Sequence, residues 1–171
     1  LRKIKVVPHL HEWKEKYEKE AILWRELLGD ILEDIHHIGS TAIPGLWAKP
    51  VIDILIEVKS LEEVDPLNER FREKGYDPKG ENGLLNRRYF QKGGDNRTHH
   101  VHIFPHRHEE VFRHIVFRDY LIAHPKEAKR YEELKRKLAT EFTDNPALYS
   151  EGKTNLIREL DEKAKKWHIT R

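Results

Sequence analysis

One carboxylate stands where it is expensive to keep. Asp53 sits inside Val51-Ile52-Asp53-Ile54-Leu55-Ile56, and an ionised group in such a run must be compensated by a cation, a metal ion or several N–H donors. It is either a ligand for a divalent cation that also holds phosphate oxygens, or a buried acid satisfied by Lys49, an arginine or loop amides. Upstream lies Gly39-Ser40-Thr41. Its glycine permits close backbone approach, and its two hydroxyls and amides suit phosphate oxygens, although the same triplet also serves as an ordinary turn. Downstream, Thr98-His99-His100-Val101-His102 places His100 and His102 on one strand face, about 6–7 Å apart, where they can bind a metal, exchange protons or simply hydrogen-bond within the sheet. Arg88 falls on the neighbouring strand, where its guanidinium could reach a phosphate or Asp53, or simply belong to a solvated, charged hairpin. Glu57 is about 13 Å along the strand from Asp53 and cannot share its metal.

The elements that position these residues follow from periodicity. Trp13, Tyr17, Ala21, Trp24 and Leu28 recur every three or four residues, so a helix is expected from about Glu12 to Leu28, with Gly29 past its end. A strand is expected over 31–38 and another over 51–58, the latter with Ile52, Ile54, Ile56 and Val58 on one face. Ser60-Leu61-Glu62-Glu63 reads as a capping box opening a helix that ends before Gly75, interrupted or restarted at Pro66. Strands follow over 75–80, 87–92 and 98–104, the last two joined by the Gly93-Gly94-Asp95-Asn96 turn. From Glu109 onward three helices are expected, broken at Pro125 and at Asn145-Pro146. Their charged residues, such as Lys163, Lys165 and Lys166, are expected to face solvent. The early stretch Ile4–Val7 reads as an entry strand or arm.

The 171 residues read as a single domain of α+β or mixed α/β class, a central mixed sheet flanked by helices with a helical C-terminal third. Basic and acidic residues nearly balance, 32 against 30; this disfavours nucleic-acid binding as the main activity. Cysteine is absent, which excludes disulfides, thiolate nucleophiles and cysteine zinc sites. No apolar run is long enough to span a bilayer, and no signal peptide opens the sequence, so a cytoplasmic location is expected.

The ordered set HIGSTAIPGLWAKPVIDIL, ENG, RRYFQKG, RTHHVHIF, FRDYLIAHP and YEELKRKLA resembles the GrpB family along nearly the whole chain. The resemblance implies a bacterial protein of the nucleotidyltransferase-fold superfamily, whose pattern is a Gly-Ser closing the first strand and two alternate carboxylates on the next. It therefore implies a nucleotide or other phosphorylated ligand, gripped by Gly39, Ser40, Thr41, Lys49 and Arg88. Asp53, His100 and His102 would form the catalytic group and hold a divalent metal, Mg²⁺, Mn²⁺ or Zn²⁺. The alternate neighbours of Asp53 are Val51 and Leu55, and His100 and His102 stand where a later acid belongs. That donor set leans away from paired Mg²⁺. Related domains fused behind dephospho-CoA kinases, where they are thought to assist folding, imply the rival reading: a non-catalytic module with a CoA-biosynthetic kinase as partner.

Overall fold

The computed structural model describes residues 3–171. Its elements are α1 (Glu12–Leu28), β1 (Leu32–Ile38), β2 (Ile52–Val58), α2 (Asn68–Glu73), β3 (Tyr76–Pro78), β4 (Arg88–Lys92), β5 (His99–Pro105), α3 (Glu109–Ala123), α4 (Pro125–Glu141) and α5 (Pro146–Thr170). The strands form one mixed sheet in the order β1-β2-β5-β4-β3. Only β2 and β5 are parallel; the other neighbours run antiparallel.

Strand alternation divides the sheet into two chemically different faces. Ile52, Ile54 and Ile56 of β2, Val101 and Ile103 of β5 and Phe90 of β4 pack with Trp13, Trp24 and Phe71 of α1 and α2 into one apolar core. Trp24 is its centre, with ring centroids 4.8 Å from Phe71, 4.9 Å from Tyr76 and 5.4 Å from Phe90. The opposite face carries Asp53, Leu55, Glu57, His100 and His102. The C-terminal helices cover it, through contacts that include Val111 against Ile38, Leu55 and Phe104.

One expectation changes, and the choice between entry strand and arm is resolved. The stretch after Ser60 is not one capped helix: Leu61–Glu63 and Asp65–Leu67 form separate 3₁₀ turns before the six-residue α2, and Ser60 makes no side-chain cap bond. Pro66 lacks the N–H that a continuous helix would require there. The N-terminal arm is a single bridge, Val7 to Ala48, anchored further by Ile4, which packs against Leu138, Ala139 and Tyr149. Pro125 both stops α3 and opens α4 at N1, the helical position that tolerates proline best. Among the described residues, no helix is long and apolar enough to cross a membrane.

Candidate functional site

The site forms where β1 turns into β2. Ile38, the last residue of β1, pairs with Asp53, and Asp53 pairs with His100 across the parallel ladder. Gly39 then lies directly over the carboxylate. A Cβ there would stand 2.9 Å from Asp53 Oδ2 and 3.2 Å from its Cβ, at φ +74°. The glycine is required on both steric and conformational grounds.

Asp53 keeps 30% of its side chain exposed, while His100 Nδ1 and His102 Nε2 stand 3.5 and 3.4 Å from its Oδ1. Burial alone would raise this carboxyl, but the bonds from His100 and His102 outweigh it and hold the group well below the usual carboxylate range. It is therefore an anion at neutral pH. His102 packs in turn against Tyr89 and His114, at 5.2 and 6.0 Å between ring centroids. Burial, with Arg113 and His102 nearby, lowers His114 to about 3, so it stays neutral.

The turn Ser40–Ala42 closes against the C-terminal helices around a cavity of about 160 Å³. Lys135 of α4 is 3% exposed. Its Nζ donates to Ser40 Oγ at 2.7 Å and to the Trp47 carbonyl at 3.1 Å, and lies 4.6 Å from the Tyr131 ring centroid. Lys153 of α5 and Lys49 approach the Tyr149 ring from 4.6 and 5.1 Å. Burial lowers Lys135 to about 7, with repulsion from Lys153 and Lys49 adding to the effect. Burial and Lys49 lower Lys153 to about 8. Burial raises Tyr131 to about 12. The Tyr149 hydroxyl is buried without a hydrogen-bond partner in the same cavity wall. Lys49 and Lys153 thus stand close enough to oppose the charging of Lys135, in addition to burial, beside a tyrosine hydroxyl able to donate. An entering anion would meet cations, hydroxyls and little competing negative charge apart from Asp53.

Of the residues singled out from the sequence, Gly39, Ser40, Thr41, Lys49, Asp53 and His100 all reach this cavity. His102 touches it through Asp53. Thr41 directs its hydroxyl away, to His37 Nε2 at 2.9 Å, and His37 stacks on Tyr17 with ring centroids 4.7 Å apart. Arg88 is a correction. It pairs with Ile103, so alternation turns it to the opposite face, where Nε and Nη2 grip Asp65 at 2.7 and 3.2 Å. Two further cations join Lys49 in the cavity, Lys135 and Lys153, which the sequence motifs do not single out. Their signal was present: Lys135 stands four residues after Tyr131 and three before Leu138, and Lys153 four after Tyr149 and three before Leu156. A lysine on the apolar stripe of a helix is buried with it. Lys163, 46% exposed, does face outward.

On the far side of the turn, with Thr41 in both walls, opens a groove of about 890 Å³ that includes Tyr17, His37 and Arg118.

The family model described as GrpB protein matches residues 3–163. The UPF0157 protein YqkA of Bacillus subtilis is 46% identical over 97% of this chain, which spans only 48% of that relative's length. The glutamate-rich protein GrpB of Alkalihalophilus pseudofirmus is 36% identical over 91% of this chain and 92% of its own. Among solved structures, the conserved protein GrpB from Enterococcus faecalis superposes with a TM-score of 0.93 at 38% identity, covering 96% of this chain and 99% of that one. This chain belongs to the GrpB family.

Proposed function

We propose that the protein is nucleotidyltransferase-like and binds a nucleotide or another phosphorylated small molecule, with a phosphate seated in the cavity beneath Ser40. The carrying observation is the convergence of Lys49, Lys135 and Lys153 on one small cavity, where burial, with repulsion between the ammonium groups added to it, lowers Lys135 and Lys153. A phosphate dianion is the ligand that relieves such repulsion. Ser40 and Tyr149 would supply hydroxyl donors, and the organic part of the ligand would lie in the groove beyond Thr41, against Tyr17 and His37.

Asp53 with His100 and His102 is the group that would act on the phosphate, by taking a proton from a nucleophile or by holding one borderline cation such as Mn²⁺ or Zn²⁺. The nitrogens that face Asp53 Oδ1 are His100 Nδ1 and His102 Nε2, at 3.5 and 3.4 Å, and these are the atoms that would hold a proton or an ion there. Paired Mg²⁺ does not fit, because a second carboxylate is missing beside Asp53. That same absence favours a second reading, a non-catalytic module that keeps the cavity and supports a protein partner such as a CoA-biosynthetic kinase.

Calorimetric titration with ATP and with inorganic phosphate tests the first reading. Wild type should bind and Lys135→Met should bind at least about tenfold more weakly, as loss of a charge-assisted phosphate contact predicts. Equal affinity in both proteins would refute the phosphate assignment. Slow product formation that vanishes in Asp53→Asn would exclude the non-catalytic reading.

A further inference from the structure

The same sheet face carries a second polar cluster, four residues further along β2 and outside the cavity just described. Glu57 is only 8% exposed. His36 Nε2 lies 2.8 Å from its Oε2, and His106 Nδ1 lies 3.3 Å from its Oε1. Asp34 joins them, with Oδ2 3.5 Å from His36 Nε2. The apolar layer of Ile38, Leu55, Phe104 and Val111 occupies the same face and divides this cluster from Asp53.

We propose that Asp34, His36, Glu57 and His106 form a binding site for one first-row divalent transition-metal ion, with zinc the natural probe. The donor chemistry is two imidazoles and two carboxylates, a set that suits Zn²⁺ and its neighbours better than Mg²⁺ or Ca²⁺. Among the described residues, Asp34, His36 and Glu57 are the set whose ligand atoms all lie within 4.8 Å of one another. Metal–ligand bonds of about 2.0–2.2 Å arranged tetrahedrally put neighbouring donors about 3.4 Å apart. The 3.5 Å between Asp34 Oδ2 and His36 Nε2 fits that spacing, the 2.8 Å contact opens by about half an ångström, and the half-exposed His106, now against the other Glu57 oxygen, would swing in as the fourth donor.

A second observation points the same way. The β1–β2 register shifts between Leu32 and Asp34, where β1 carries an extra residue, and the shift sets Asp34 directly opposite Glu57. Like charges facing each other across an antiparallel pair are destabilising, and one of these carboxylates is buried. His36 Nε2 is shared between the two, with the Ile35 amide donating to Asp34 Oδ1 at 2.9 Å and His106 beside the other Glu57 oxygen. A bulge that aligns two carboxylates with two imidazoles is a costly arrangement unless a cation occupies it. Asp34 and His106 are 60% and 52% exposed, so an ion can enter from solvent. Once bound, it would tie β1, β2 and the chain just after β5 together.

The experiment is zinc titration of untagged, chelator-treated protein by calorimetry, with cobalt substitution read by its visible ligand-field absorption. Wild type should take up one ion at this site and melt at a higher temperature when loaded. Glu57→Gln and His36→Ala should weaken zinc at least about tenfold and alter the cobalt spectrum. Because Glu57 is buried, Asp34→Asn supplies the variant least able to disturb folding, and it should also weaken the ion. The His100→Ala/His102→Ala double variant should retain the site. Absence of zinc uptake by wild type, or undiminished affinity in folded Asp34→Asn and His36→Ala, would overturn the proposal.

Discussion

Anion binding beneath Ser40 should take up protons. Lys135 and Lys153 titrate near 7 and 8 because burial and neighbouring ammonium groups oppose their charging. A seated dianion reverses that field and returns both toward the ordinary lysine value of about 10.4. Sulfate is the appropriate probe, since it does not titrate in this range. Raising the pH from about 6.5 to about 8.5 then costs affinity by a factor of about 25 through Lys135 and about 4 through Lys153, together about a hundredfold. At about pH 7.5 the two lysines should together absorb about one proton per sulfate bound.

Calorimetry in buffers of contrasting ionisation enthalpy measures that proton directly, and the pH series measures the affinity loss. Lys135→Met should bind more weakly at every pH and retain only the shallow, roughly fourfold dependence due to Lys153. The ligand-free fold should show the complementary trend. Above about pH 7 the unfolded chain holds lysine protons that the folded chain has released, so this contribution to stability grows as pH rises toward about 10 and is lost on acidification. Sulfate affinity that stays flat across this range, or unchanged proton uptake in Lys135→Met, would refute the coupled-lysine account.

Three further outcomes are expected. Gly39→Ala should lower stability by about 2 kcal/mol or more, measured by denaturant midpoint, since it combines a glycine-only backbone region with a clash against Asp53. Arg88→Ala should cost less than about 1 kcal/mol and leave sulfate affinity intact, because its exposed pair with Asp65 lies on the opposite face. Trp24→Ala should cost about 3–5 kcal/mol in the same denaturation assay, as removal of a fully buried indole from the aromatic core.

The elements were largely legible because their signals are local. Alternation within Ile52–Val58 assigned both faces of β2, and the spacing of Trp13, Tyr17, Trp24 and Leu28 placed α1 at its observed bounds. Asp53, His100 and the Gly39-Ser40 turn were readable as a group because each is anomalous in its own segment. Arg88 misled because its strand was placed correctly but its face was not. The register with β5, which no local signal supplies, decides that face. Lys135 and Lys153 lay hidden for a related reason: their helices are distant in sequence, and only tertiary packing brings Nζ of Lys135 to Ser40 across 95 residues. The stretch after Ser60 failed differently, since the cap pattern was present but Pro66 outweighed it.

The two polar clusters on this face share a physical logic. At one end, lysines from a loop and two helices are held together; at the other, two carboxylates are set opposite each other by a register shift. Each arrangement opposes folding by like-charge repulsion and desolvation, and burial of the Trp24 core on the reverse face offsets that cost. The layer of Ile38, Leu55, Phe104 and Val111 keeps the clusters apart, so the excess positive charge at one end cannot neutralise the excess negative charge at the other. Each is left to be relieved by an ion of opposite sign from solution, an oxyanion beneath Ser40 and a metal cation at Glu57. Asp53 and Glu57, which mark the two ends, stand about 13 Å apart along β2, so the two occupancies should be additive in stability. Measured melting shifts for sulfate alone, zinc alone and both together distinguish that independence from coupling through the strand.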